Sequence, residues 1–216
     1  MGVREVAACY GRGCGMIFPA VSAVLLIGSL ASFQWGMRKF FTQPAGDNGG
    51  MKLIRLCGSA FALLHFAAIV ATPHVTRWQA LGGDSLYLAG MGLFWWAIRV
   101  NRDRPLSAAF SPDSPLHVVQ QGPYRLVRHP LYCAYLLVWT AGVIATGRLW
   151  LIPTALAMGI VYARAARMEE QKFANSSLAA AYQRYQSRTG MFLPNPLKAL
   201  RSARSWGHKA NAASAR

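Results

Sequence analysis

Eleven residues at 122–132, GPYRLVRHPLY, concentrate two prolines, two arginines, a histidine and two tyrosines. Arginines hold anions through charge-assisted hydrogen bonds. Tyrosine rings offer flat faces to a cation or to an aromatic base. Pro130 suits the first turn of a helix, where its missing N–H would have no partner. That places His129 at or just before a helix N-terminus, whose backbone donors can hold a carboxylate. A second polar cluster, RMEEQKF at 167–173, adds Glu169 and Glu170, which can hold an amine or a pair of ribose hydroxyls.

Two apolar segments, 132–146 and 149–163, separate the clusters, joined only by Gly147-Arg148. So short a link demands an antiparallel helical hairpin, which brings both clusters to the same end. Together they match a ligand with a carboxylate, an ammonium, an aromatic base and a cationic centre. S-adenosylmethionine is such a ligand. Taken singly, each of these residues fits the headgroup level of a membrane equally well, as a snorkelling or anchoring side chain. Their bracketing of one hairpin sets them apart.

The medium follows from composition. Hydrophobic residues make up 54% of the 216-residue chain and charged residues 14%, a departure toward membrane proteins. The net charge of +16, from 23 Lys and Arg against 7 Asp and Glu, fits basic cytoplasmic loops. Nucleic-acid binding through the basic tail is disfavoured, because Trp206 is the tail's single aromatic residue. The four cysteines form no CxxC pair and have no His partner at metal-ligand spacing, so no metal site is predicted.

Spans are predicted at 16–35, 53–71 and 81–98, followed by the two hairpin segments. The first could also be a cleaved secretory signal, since Ser29-Leu30-Ala31 resembles a cleavage site. Charge decides against that. With five spans and the C-terminus inside, all the lysines and arginines except Arg4, Arg12, Arg77 and Arg148 fall on the inner side. The expected fold is an all-α integral membrane protein of about five transmembrane helices, N-terminus outside, with a cytoplasmic cofactor pocket. Its parts would be an N-terminal segment (1–15), three spans (16–99), a core of loop, hairpin and amphipathic helix (100–197), and a basic tail (198–216) of disordered character. The amphipathic helix is predicted at 177–187, with Leu178, Tyr182 and Tyr185 on one side. His65, alone within the second span, reads as a functional group or as a hydrogen bond to a neighbouring helix.

The ordered set GPYR, RHPxY, EE, YxxY and FLP, spread over 116–194, resembles the isoprenylcysteine carboxyl methyltransferase family and the related membrane phospholipid methyltransferases. The first three spans carry no such pattern. The resemblance implies transfer of a methyl group from S-adenosylmethionine, held in a cytoplasmic pocket, to a lipophilic or small acceptor reaching it from the bilayer between helices. It implies cofactor contacts from Leu116, His117, Val118, Val119, Tyr124, His129, Pro130, Leu131 and Tyr132, with Glu169 or Glu170 beside them. It also implies catalytic positions at His129, Glu170 and Arg167, the last meeting the acceptor, with Arg164 as its competitor. The stretch between the glutamates and Tyr182 is one residue longer than the family pattern, and Cys133-Ala134 replaces a small Gly-containing pair.

Two rival functions stand beside this one. Membrane sterol-type reductases share an RHPxY element but use NADPH and continue with Asn and Gly around the tyrosine, where this chain has Leu131 and Cys133. A non-catalytic membrane protein could use the same hairpin to bind lipid or a partner. Nothing in the residues names the acceptor, which stays open among carboxylate, thiol and amine.

Overall fold

The computed structural model describes residues 3–42, 49–72, 74–102, 106–107 and 117–195. Leu116 and the tail at 198–216 lie outside them. Among the described residues the α-helices are five long and one short: α1 (Val3–Phe40), α2 (Gly49–Val70), α3 (Arg77–Val100), α4 (Pro130–Thr146), α5 (Ile152–Ala174) and α6 (Ala179–Gln186). Two two-residue strands, β1 (Phe41–Thr42) and β2 (Leu106–Ser107), pair in parallel beyond α1 and α3.

Each helix end has a local cause. Thr76 caps α3 in a capping box, its hydroxyl accepting from the Gln79 N–H at 3.2 Å while Gln79 Oε1 accepts from the Thr76 N–H at 2.9 Å. Pro130 opens α4 after His129, as its fixed φ and missing donor favour. Gly147 closes α4 at φ 64, in the left-handed region where a side chain would be strained. The chain then turns through Arg148 into α5, giving the expected hairpin. The helix α5 outruns the expected segment at 149–163. No breaker follows Ala163, and Ala, Arg, Met, Glu, Gln and Lys all favour helix, so RMEEQKF forms the last turns of α5.

The most extensive helix pair is α3 with α4. Small residues permit it, since an absent Cβ lets backbones close in, as in membrane helix pairs. A Cβ built at Gly83 would lie 2.5 Å from the Ala145 Cβ and 2.7 Å from its backbone, and one at Gly90 would lie 3.0 Å from the Ala134 carbonyl. Tyr87, Phe94, Ala134, Val138 and Ala141 fill the core around this seam, joined by Leu26 and Phe33 of α1. A second core joins α4 to α5 through Tyr132, Trp139, Met158 and Tyr162.

Outward faces are apolar: Val24, Leu56, Leu63 and Ile160 are each about 70% exposed (68–72%). Such a belt belongs in lipid rather than water. Three helical stretches are long and apolar enough to cross a membrane, Ile17–Phe40, Gly49–Val70 and Leu149–Ala174. The helix α4 is apolar but shorter.

The α3–α4 seam generates a stability prediction. Gly83→Ala must push α4 aside and should cost about 2 kcal/mol, as overpacking does, lowering the unfolding temperature in detergent. Gly92→Ala, on the same helix with open space around it, should leave that temperature unchanged or raise it slightly.

Candidate active site

The site is built where α4 begins. Gln121 is followed by a 3-10 turn at Gly122–Arg125. Gly122 sits at φ 56, and a Cβ there would lie 2.5 Å from Val100 Cγ2 and 3.1 Å from Trp96 Nε1, so only glycine lets this turn press against the end of α3. The turn buries Tyr124. Asn101 Nδ2 donates to the Tyr124 hydroxyl at 3.0 Å, and the Tyr185 hydroxyl donates to the Tyr124 carbonyl at 2.7 Å. Burial pushes the Tyr124 phenol well above its ordinary range despite the Asn101 hydrogen bond, so it stays neutral.

Arg128 and His129 fasten this turn to the end of α5 and to the segment after α6. Arg128 Nε donates to Glu170 Oε1 at 2.7 Å, its Nη1 donates to the Thr189 carbonyl, and Gln186 Nε2 donates to Glu170 Oε2 at 2.9 Å. The Arg128 and His129 N–H groups donate to the Gly190 and Met191 carbonyls at 2.9 and 3.2 Å. His129 lies between both glutamates, Nδ1 to Glu169 Oε2 at 3.5 Å and Nε2 to Glu170 Oε1 at 3.1 Å. Only the protonated ring can donate from both nitrogens. Burial alone would lower the His129 pKa, but the hydrogen bonds and charges of Glu169 and Glu170 together outweigh it and raise it above the ordinary value. The Tyr132 hydroxyl donates to Glu169 Oε1, and the His129 ring stacks on Tyr132 with centroids 5.7 Å apart.

One cavity of about 930 Å³ collects most of the predicted residues. His117, Val118, Val119, Tyr124, His129, Pro130, Leu131, Tyr132 and Glu169 all line it. Leu116 is outside the described residues. The two glutamates divide their roles. Glu169 faces the cavity, while Glu170 is not on its wall and is instead enclosed by Arg128, His129 and Gln186. Arg167 and Arg164 are both exposed on α5 and outside the cavity wall. Consecutive residues on a helix point about 100° apart, and on α5 it is Glu169 that is turned to the cavity while Arg167 and Glu170 are off its wall.

Other lining residues were not singled out as site residues from sequence. Phe173, Tyr135, Trp139 and Tyr162 join the wall, as do Arg38 and Arg55 from the first two long helices. Tyr132, Tyr135 and Trp139 fall at i, i+3 and i+7 within an otherwise aliphatic segment, a spacing that puts them on one face. The lining also includes apolar residues of α1 and α2, among them Leu26, Ile27 and Phe66.

Residues 78–181 match the family model PEMT, phospholipid methyltransferase, related to the isoprenylcysteine carboxyl methyltransferases. This marks a methyltransferase of the membrane type. No curated protein matches the chain at significant similarity. The matched methyltransferase segment contains the α3–α4 seam, the Tyr124 turn, His129 and both glutamates, while α1 and α2 lie before it.

Two predictions come from the charged cluster. Glu170→Ala strands Arg128, whose side chain is 7% exposed; breaking such a pair should cost about 3 kcal/mol, read as a lowered unfolding temperature in detergent. Glu169→Gln, at a more open position, should destabilise less. The raised His129 pKa makes its charge a stabilising element that is complete below the unfolded value of about 6.5 and lost as pH rises through the folded value. Stability should therefore decline from pH 6.5 upward, and His129→Gln should remove that decline while lowering stability at pH 6.

Proposed function

We propose that this protein is an S-adenosylmethionine-dependent methyltransferase acting on a lipophilic or small acceptor inside a five-span membrane fold. Under this proposal the N-terminus lies outside, with the C-terminus and the active site on the cytoplasmic face. The observation that carries the reading is the lining of this cavity. It combines charged side chains, helix-terminal donors and aromatic faces with apolar side chains of α1 and α2, the least buried of the three candidate spans.

The polar lining suits the cofactor group by group. The N–H groups of Leu131 and Tyr132, in the first turn of α4, have no partner within the helix and would receive a carboxylate. Glu169 would take an ammonium or a ribose hydroxyl. His117 Nε2 is buried on the cavity wall without a hydrogen-bond partner, a polar atom that a ligand would satisfy. Tyr124, Tyr182 and Phe173 supply faces for an aromatic base and for a cationic centre.

When bound, S-adenosylmethionine supplies a methyl group on a sulfonium that already leaves well. The protein's own work is then alignment and exclusion of water. Tyr132, Tyr135, Tyr162 and Trp139 line the cavity and keep the displacement path dry. The Trp139 indole N–H donates to the Tyr162 hydroxyl at 3.2 Å, which fixes two of these rings against each other. His129, with Nε2 3.1 Å from Glu170 and Nδ1 3.5 Å from Glu169, holds Glu169 in place. A carboxylate or thiolate acceptor needs no base from the protein; an amine would have to arrive deprotonated or lose its proton to Glu169.

Calorimetry of the detergent-purified protein tests this directly. S-adenosylmethionine and its demethylated product should bind, and NADPH should not. Glu169→Gln should weaken the sulfonium compound by about tenfold, as loss of one charge-assisted contact does. Binding of NADPH alone would favour a reductase, and binding of none of the three would leave a non-catalytic membrane protein.

A further inference from the structure

Asn101 closes α3 and lies before the stretch at 116–194 whose motifs carry the family resemblance. We propose that Asn101 is a positioning residue of the site: it fixes the Tyr124 hydroxyl as a hydrogen-bond donor to a ribose hydroxyl of the cofactor, whose own proton goes to Glu169. The inference rests on the S-adenosylmethionine reading above and assigns one group of that cofactor its two partners.

Ala97 sets the direction of the bond. Asn101 Nδ2 donates to the Ala97 carbonyl at 2.8 Å and to the Tyr124 hydroxyl at 3.0 Å. A backbone carbonyl can only accept, so the nitrogen of the Asn101 amide, not its oxygen, must face it. Both amide hydrogens are then used. The Tyr124 oxygen therefore accepts from Asn101, and its own proton turns away, with no acceptor for it among the described residues. Asparagine is common at helix ends for local bonds alone. Here the local bond takes one hydrogen, and the other crosses to a turn 23 residues along the chain. Asn101 Oδ1 is buried without a partner among the described residues, a cost that an apolar side chain of like size would avoid. What such a side chain would lack is the donor to Tyr124.

Tyr124 lines the cavity and Asn101 is not on its wall, so a ligand meets the tyrosine and not the amide behind it. The tyrosine is held on its other sides too, by the Tyr185 hydroxyl on its carbonyl and by the close seat of Gly122 against Val100 and Trp96. Glu169 lines the same cavity, near enough for its charge to act on the Tyr124 phenol. It accepts from Tyr132 and lies 3.5 Å from His129, and its two oxygens have lone pairs for a further donor. A fixed donor and a carboxylate facing one cavity suit a group that both accepts and donates, and a hydroxyl does both. An ammonium at Glu169 has no lone pair to accept from Tyr124. A carboxylate would accept from Tyr124 but be repelled by Glu169, and a ring nitrogen of the base would leave Glu169 without a donor.

Calorimetry of the detergent-purified protein with S-adenosylhomocysteine and its 2′-deoxy and 3′-deoxy analogues tests the assignment. One analogue should bind more weakly than the parent compound. Tyr124→Phe should weaken the parent by about fivefold, the loss of one neutral hydrogen bond, and should leave that analogue unchanged, so the ratio of the two affinities shrinks by the same factor. Asn101→Asp puts an acceptor where the donor was and draws the Tyr124 proton off the cavity. It should match Tyr124→Phe in this ratio and add nothing in the Tyr124→Phe background. Asn101→Leu, which removes the orphaned oxygen along with the donor, should shift the ratio in the same direction by a smaller factor, and it serves if the aspartate variant does not fold. A merely structural role for Asn101 would weaken parent and analogue equally and leave the ratio where it was. An unchanged ratio in Tyr124→Phe or in the Asn101 variants, or both deoxy analogues binding as well as the parent, would overturn the proposal. Failure of the wild-type protein to bind S-adenosylhomocysteine would instead sink the methyltransferase reading.

Discussion

The ion-pair group of Arg128, His129, Glu169 and Glu170 is the constraint on which the rest of the site depends. Two cations and two carboxylates meet where α4 begins and α5 ends, so their charges cancel within a few ångströms. Such a group is costly to desolvate and stays favourable only while every member is partnered. Glu170 satisfies that condition most fully, accepting from Arg128, His129 and Gln186. Its role is to lock the arginine that in turn holds the carbonyls after α6. Glu169 is then left with one oxygen to Tyr132, one toward His129, and a face on the cavity. The two adjacent glutamates leave α5 in different directions, and their partners divide the labour between them.

The same group explains why three separated pieces of chain behave as one site. The turn at Gly122–Arg125 is pressed on α3 by Gly122 and held from the other side by Tyr185. The segment beyond α6 is held by the Arg128 and His129 amides and by Cys133, whose Sγ donates to the Phe192 carbonyl at 3.2 Å. Phe192 then packs edge-on against the His129 ring. Each contact is modest, but they converge on residues 128–133, which also open α4. A helix whose first turn is this well anchored presents its unpaired N–H groups in a fixed direction, the condition for an anion site that does not have to reorganise on binding.

Much of this was legible in the sequence, and the limits have physical causes. Pro130 after His129, and Gly147-Arg148 between two apolar runs, specify a helix start and a hairpin by local chemistry alone. The long helices likewise follow from apolar length. Which glutamate faces inward was not legible, because 169 and 170 differ only in angular position on a helix whose neighbours were unknown. Arg167 was implied by the family resemblance, and it lies exposed on α5, outside the cavity wall. Arg38 and Arg55 read as ordinary inner-loop cations, since only tertiary packing brings them to the cavity wall. His65 resolves toward structure: its Nε2 meets Thr154 Oγ1 at 2.7 Å, and that hydroxyl donates onward to the Leu151 carbonyl. Histidine is therefore the donor, joining α2 to α5.

That hydrogen bond bears on the cavity itself. With Nε2 protonated, His65 leaves its buried Nδ1 against Gly142 without a hydrogen-bond partner, and its ring meets Trp139 edge-on at 5.4 Å. Trp139 also lines the cavity. Its indole N–H is already given to Tyr162, so its face cannot turn toward His65 without losing that partner. Trp139 is thus held between His65 on α2 and Tyr162 on α5. The cavity lining combines charged residues, aromatic rings held by their neighbours and apolar side chains. In a membrane protein, where polar and apolar phases meet along every helix, such a combination has to be built from side chains rather than inherited from solvent.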